Sequence, residues 1–208
     1  MKNLLLSITL IVVFSTNIFA QQKSDDFKRW QARLRVITII PDVSDDIADA
    51  NVDISNTVVP ELDFTYFFDE NWAAELILAT AKHNVDLNDI SIGDGVDLGY
   101  AWILPPTLNL QYHFTDGEAK PYLGVGINYT FFYNIDEGDV VSMDYKDAVG
   151  FSMQAGLDYE LDDTWFLNLD VKKLLLKTDV KVDTGDGILS AAVDVNPWVI
   201  GVGIGMKF

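Results

Sequence analysis

The sequence contains no cysteine, which excludes a disulfide framework, a thiolate zinc site and a cysteine nucleophile. It is short of positive charge. Fourteen Lys and Arg stand against 32 Asp and Glu, a formal net charge of −18, so there is no clustered basic surface for nucleic acid. Long apolar runs are missing too. Beyond Ala20 no stretch approaches the roughly 18 uncharged apolar residues of a membrane-crossing helix, which excludes a helical membrane protein. What the 208 residues do carry is 49% hydrophobic and 12% aromatic side chains, too many for a disordered acidic tail and suited to one domain.

The N-terminus has the grammar of a targeting segment. Lys2 supplies a positive start, Leu4 to Phe14 an apolar stretch and Ala20 a small residue before Gln21 and Gln22. Residues 1–20 are therefore expected to be a signal peptide and residues 21–208 the exported domain.

In that domain the hydrophobic period is two. Trp198, Ile200, Val202, Ile204, Met206 and Phe208 share one parity, and Val199, Gly201, Gly203, Gly205 and Lys207 the other. The same alternation begins at Trp30, Leu62, Trp72, Pro106, Tyr122, Val149 and Trp165, which makes eight segments. Short connections at 69–71, 115–120 and 161–164 alternate with long polar ones at 41–57, 82–102, 133–147 and 178–192. Aromatic residues flank the short ones: Phe68 and Trp72, Tyr112 and Phe114, Tyr159 and Trp165. Such rings suit a membrane interface, with an apolar body in lipid and a polar edge in water. The pattern predicts an all-β fold, an eight-stranded antiparallel transmembrane β-barrel with short periplasmic turns and long extracellular loops.

A water-soluble barrel of lipocalin type would also alternate, with its apolar face inward. Against it stand Gly124, Gly126, Gly150, Gly156, Gly201, Gly203 and Gly205 on the less apolar parity, where a soluble exterior would carry charge. Small residues suit the crowded lumen of a narrow barrel instead.

Three stretches in order resemble the outer-membrane protein W (OmpW) family: Leu104-Pro105-Pro106-Thr107-Leu108, Lys120 to Thr130 with its Pro-Tyr-x-Gly-x-Gly-Ile-Asn-Tyr core, and Asn196-Pro197-Trp198 before a terminal Phe208. The likeness covers essentially the whole exported domain. It implies an eight-stranded barrel of the Gram-negative outer membrane and a path for small hydrophobic molecules. The acidity of the first two long connections departs from familiar members.

Parity also sorts the lumen. Toward the long connections the inward positions are Ile37, Ile39, Val59, Ile77, Ala79, Ile103, Phe132, Leu174, Leu176 and Val199, nearly all apolar. Toward the short turns the same face carries Arg33, Arg35, Glu61, Asp63, Glu75, Asp170 and Lys172, with Asn109, Gln111, His113, Asn128, Gln154, Asp158 and Asn168. Charges confined in a lumen must pair to tolerate desolvation. A hydrophobic funnel is therefore expected above, open to the outside, with a charged plug on the periplasmic side. Because the plug blocks passage, release is expected sideways into lipid. Pro105 and Pro106, which lack ladder N–H groups, mark the candidate opening.

The same residues give less support to other classes. A lipid-modifying enzyme would need a serine and a histidine, but His83 and His113 have no serine at a helpful spacing; Ser91 lies in an acidic connection. No enzyme activity and no cofactor are expected. Acidic groups around Asp42, Asp45, Asp46, Asp49 and Asp53, around Asp86, Asp89, Asp94 and Asp97, and at Asp183 to Gly187 match no calcium-loop spacing and read as solvated surface. Divalent-cation bridging to lipopolysaccharide phosphates would show as magnesium-dependent thermal stability. A non-conducting structural or receptor barrel is the remaining alternative. The expected partners are outer-membrane lipid, lipopolysaccharide and small hydrophobic ligands, with no nucleic acid; nothing in the sequence specifies an oligomeric state.

Overall fold

The computed structural model describes residues 27–45, 50–89, 93–183 and 187–208. The proposed signal peptide lies outside the described residues. In chain order the strands are β1 (Trp30–Ile40), β2 (Ser44–Asp45), β3 (Ala50–Ile54), β4 (Thr57–Phe67), β5 (Trp72–Ala79), β6 (Ala81–Asp89) and β7 (Gly93–Leu104). They continue with β8 (Thr107–His113), β9 (Ala119–Asp136), β10 (Ser142–Tyr145), β11 (Ala148–Glu160), β12 (Trp165–Asp183), β13 (Ile188–Asp194) and β14 (Trp198–Lys207). Among the described residues no helix is present.

Eight strands close on themselves in the order β1, β4, β5, β8, β9, β11, β12, β14, every neighbouring pair antiparallel and β14 pairing back onto β1. Closure removes the free sheet edges that hydrocarbon cannot satisfy. These are the eight segments that alternation predicts. Their outward positions are aliphatic or aromatic and exposed, among them Leu34, Val36, Leu62, Leu108, Val125, Ile127, Phe151, Leu169, Val202 and Ile204. An exterior of this kind is the inverse of a soluble barrel and excludes the lipocalin alternative. Aromatic pairs gird the short-turn end, with Trp30 against Tyr66, Trp72 against Tyr112 and Tyr112 against Phe114. A second group sits at the other end, where Trp102 meets Tyr133 and Tyr129 meets Phe131.

Two glycines are required by close approach. At Gly205 a Cβ would strike the Phe166 ring, and at Gly156 the Tyr122 ring. Their bare backbone makes room for two aromatic side chains inside a lumen too narrow to hold them otherwise.

The long connections are a correction to the expectation of polar loops. β9 and β12 run for 18 and 19 residues, well beyond the roughly 9–11 that cross a bilayer. Above the barrel they carry two walls: β3, β6 and β7 against β9, and β10, β13 and β2 against β12. Between the walls Val52, Val85, Leu98 and Met143 are buried, with Ile54, Ile135, Val180 and Val182 packed on them. Acidic neighbours such as Asp53, Asp86 and Asp179 face solvent. Strand alternation is therefore present, but its polar half is so densely charged that the segments read as solvated loops.

Candidate functional site

Register brings the inward charges of the lower barrel into one buried network. Pairing of β1 with β4 sets Arg33 beside Asp63 and Arg35 beside Glu61, and the next strand adds Glu75 beside Thr65. Both arginines are fully buried. Arg33 donates to Thr65 Oγ1 (2.7 Å), and its guanidinium pairs with Asp63 (3.1 Å), Asp158 (2.8 Å) and Glu75 (3.4 Å). Arg35 places Nε 2.8 Å from Glu61 and Nη2 2.5 Å from Asp63 and 3.0 Å from Glu75. Lys172 completes the set, 2.7 Å from Glu61 and 3.0 Å from Asp170.

Five carboxylates thus face three cations, an excess of two negative charges that neutral donors offset. Gln111 and Gln154 donate to Glu75 Oε2 at 2.8 and 2.9 Å, and the Tyr122 hydroxyl to Asp170 at 2.6 Å. Asn168 bridges Asp158 and Tyr122 at 2.7 and 3.0 Å. Arg33 also lies over the Tyr122 and Phe166 rings, 5.4 Å from each centroid. His113 stacks on Tyr122 at 4.9 Å and sits against Phe67. Parity had identified most of these as inward; Tyr122 and Phe166 as packing rings between the charges were missed, and only the glycines opposite them hinted at it.

Directly above, the lining changes to carbon. Ile37, Ile39, Ala81 and Val199 form a buried cluster joined by Val59, Ala79 and Ile103. The wall cavity they begin continues upward past Leu174, Leu176, Phe132 and Ile77 to the residues between the two walls, enclosing about 220 Å³. Glu61 and Lys172 form its floor. All the inward apolar positions expected from parity lie here, Val59 through its packing on Ile37 and its neighbours. The upper lining, including Val85, Leu98, Met143, Tyr145 and Val193, was not anticipated. The alternate valines and isoleucines of residues 52–54, 180–182 and 193–195 were the available signal.

Pro105 and Pro106 separate β7 from β8. The ladder between β5 and β8 ends at Ile77 and Thr107, and that between β6 and β7 starts at Ala81 and Ile103. Residues 78–80 and 104–106 thus face each other across a seam without paired backbone, bridged by the Thr80 hydroxyl donating to Ile103 O at 3.1 Å. On the opposite side the prolines are held: Pro106 O accepts from Tyr129 N (3.0 Å) and Pro105 O from Asn128 Nδ2 (3.1 Å). Pro60 lies within β4, paired with Val36, and Pro197 precedes β14.

The two histidines have structural partners. His83 Nδ1 lies 2.9 Å from Ser55 O, and His113 Nε2 3.0 Å from Gln111 Oε1. Of the acidic residues, Asp42 pairs with Lys173 and Asp97 accepts from Gly99 N. Asp46, Asp49, Ser91 and 184–186 lie outside the described residues.

The OmpW family model matches residues 29–208. This chain belongs to the OmpW family. A relative, the uncharacterized outer-membrane protein y4mB of Sinorhizobium fredii, is 44% identical over 86% of this chain and 80% of its own. The dibenzothiophene metabolism operon protein PahQ of Pseudomonas aeruginosa is 26% identical over 76% of this chain and 75% of its own. Among solved structures, the outer membrane protein OprG of Pseudomonas aeruginosa superposes with a TM-score of 0.80 at 28% identity, covering 87% of this chain and 96% of that one. As an OmpW-family barrel the protein resides in the bacterial outer membrane, so the turns flanked by Phe68, Trp72, Tyr159 and Trp165 face the periplasm and the two walls face outward.

Proposed function

We propose that the barrel admits small apolar molecules from outside into the cavity between its walls and releases them sideways into the membrane. The observation that carries this reading is the abrupt boundary at Glu61 and Lys172: carbon lines the space above them, and a buried ionic lattice lies in the lumen beneath. An apolar molecule gains by leaving water for the cavity, roughly 25 cal/mol per Å² of surface buried. Going further down would require it to break charge pairs already stripped of water. The network of Arg33, Arg35, Lys172 and their five carboxylates therefore acts as a plug. The exit that remains is the seam at Pro105 and Pro106, where the cavity wall formed by Ala79, Ile103 and Pro105 lacks a continuous ladder. The PahQ name, with its dibenzothiophene operon, supports an apolar cargo. Outer-membrane lipid and lipopolysaccharide are the surroundings of the outward aliphatic belt.

Ile77→Trp tests the reading, because it fills the cavity just above the plug and removes no charged side chain. Uptake of an apolar compound by cells expressing this barrel alone should drop to the level of cells lacking it. Unchanged uptake would favour a barrel that conducts nothing and serves a structural or receptor role.

A further inference from the structure

His83 meets the cavity with a nitrogen that the fold does not use. It sits at an inward position of β6, between Ala81 and Val85, and lines the cavity where the outer walls rise from the barrel. One side of the ring is fixed. Ser55 is held by Asn84, its N–H donating to Asn84 O at 3.1 Å and its Oγ accepting from Asn84 N at 3.0 Å, and its carbonyl oxygen lies 2.9 Å from His83 Nδ1. A carbonyl can only accept, so Nδ1 carries the proton; the nearby Thr57 hydroxyl gives its own to Lys82 O at 2.8 Å. Burial pushes the imidazolium pKa down, so the ring is neutral and its other nitrogen, Nε2, is a bare acceptor. Nε2 takes no hydrogen bond from any described residue and is not one of the sealed, unpaired polar atoms of the interior, so the surface it keeps is cavity surface. Across the ladder stands Ala101, which places only a methyl group beside the ring.

We infer that His83 Nε2 is the specificity contact of the cavity and that the favoured cargo is a small apolar body carrying one hydrogen-bond donor, a hydroxyl or a ring N–H. This rests on the uptake reading above and adds to it which apolar molecules are favoured. At about 220 Å³ the space is below the roughly 300–1,000 Å³ of sites for drug-sized ligands, so the cargo is small. A pure hydrocarbon displaces water from Nε2 and leaves it unpaired in an apolar lining, at about 1–3 kcal/mol. A molecule whose hydroxyl or N–H reaches the tip of the ring replaces that water and avoids the loss.

The test uses the full barrel in lipid nanodiscs with labelled isoleucine methyl groups and ¹⁵N-histidine, titrated with 1-naphthol and with its methyl ether, 1-methoxynaphthalene, which lacks the donor. Both should shift the Ile54 and Ile103 methyl signals. In the wild-type protein the His83 ¹⁵Nε2 signal should move upfield with the naphthol and stay with the ether, a readout that needs no variant. His83→Phe keeps an aromatic ring at the position and removes the acceptor. It should weaken naphthol binding about three- to tenfold, the ratio that one net hydrogen bond supplies, and leave binding of the ether as it was. An ¹⁵Nε2 signal that ignores naphthol, or a naphthol affinity that survives His83→Phe, overturns the inference and leaves the uptake reading standing. If neither compound perturbs the cavity methyls, both fall together.

Discussion

Arg35 touches Glu61, Asp63 and Glu75 at once, from a position without solvent. Removing it leaves Glu61 to Lys172 alone and Asp63 and Glu75 to Arg33 alone, a larger uncompensated negative charge in a low-dielectric lumen, which costs far more than the pairs themselves contribute. Arg35→Met is expected to destabilise the folded barrel by about 3–5 kcal/mol, read from urea unfolding followed by the mobility shift between folded and unfolded bands. Arg35→Lys should recover only part of this, since a point charge cannot serve Nε and Nη2 partners together. A Met variant as stable as the parent would show that the network contributes no net pairing. At this scale the sequence was readable where parity decides: Arg33, Arg35, Glu61, Asp63, Glu75, Asp170 and Lys172 all lie on the face their positions indicate. Who pairs with whom was not, because Arg33 reaches Asp158 across 125 positions of chain and only closure of the ring brings them together.

Two kinds of element surround this network, tight hairpins below and a broken strand pair beside the cavity. In the hairpin between β11 and β12 the N–H groups of Trp165 and Thr164 donate to Asp162 at 2.8 and 2.7 Å and hold its carboxyl below the usual value of 3.8. A group with a depressed folded pKa stabilises above its unfolded value and loses that effect as pH falls through the folded one. Amide-exchange protection at Thr164 and Trp165 should accordingly decline below about pH 3.8, and Asp162→Asn should flatten the step; protection indifferent to pH would remove Asp162 as the cause. At the seam, Pro105→Val with Pro106→Val restores two N–H groups and should slow apolar uptake several-fold without lowering stability. Uptake at the parental rate would put the exit elsewhere. The eight barrel strands were legible because lipid on one side enforces strict alternation. The walls were not: β3 and β6 carry their valines among aspartates and asparagines, so composition outweighed period.

Across the whole molecule, polarity is layered. A water-facing extension with an apolar centre stands on a membrane belt whose interior passes from aliphatic to ionic within a few residues, as from Ile37 to Arg35 on β1 and from Leu174 to Lys172 on β12. The layering follows from eight-strand width, since the lumen is just filled by its own side chains. Liposomes bearing the barrel should therefore swell in sugar solutions no faster than empty ones, while Arg33→Ala with Arg35→Ala, if it still inserts, should swell measurably faster. Swelling by the parent protein would mean that the lattice admits water and solute.

On the proposed reading, a barrel whose lower lumen is bolted shut lets a cell crowd its surface with copies and still lose no nutrients, ions or metabolites through them. Copy number is then limited by membrane area rather than by leakage.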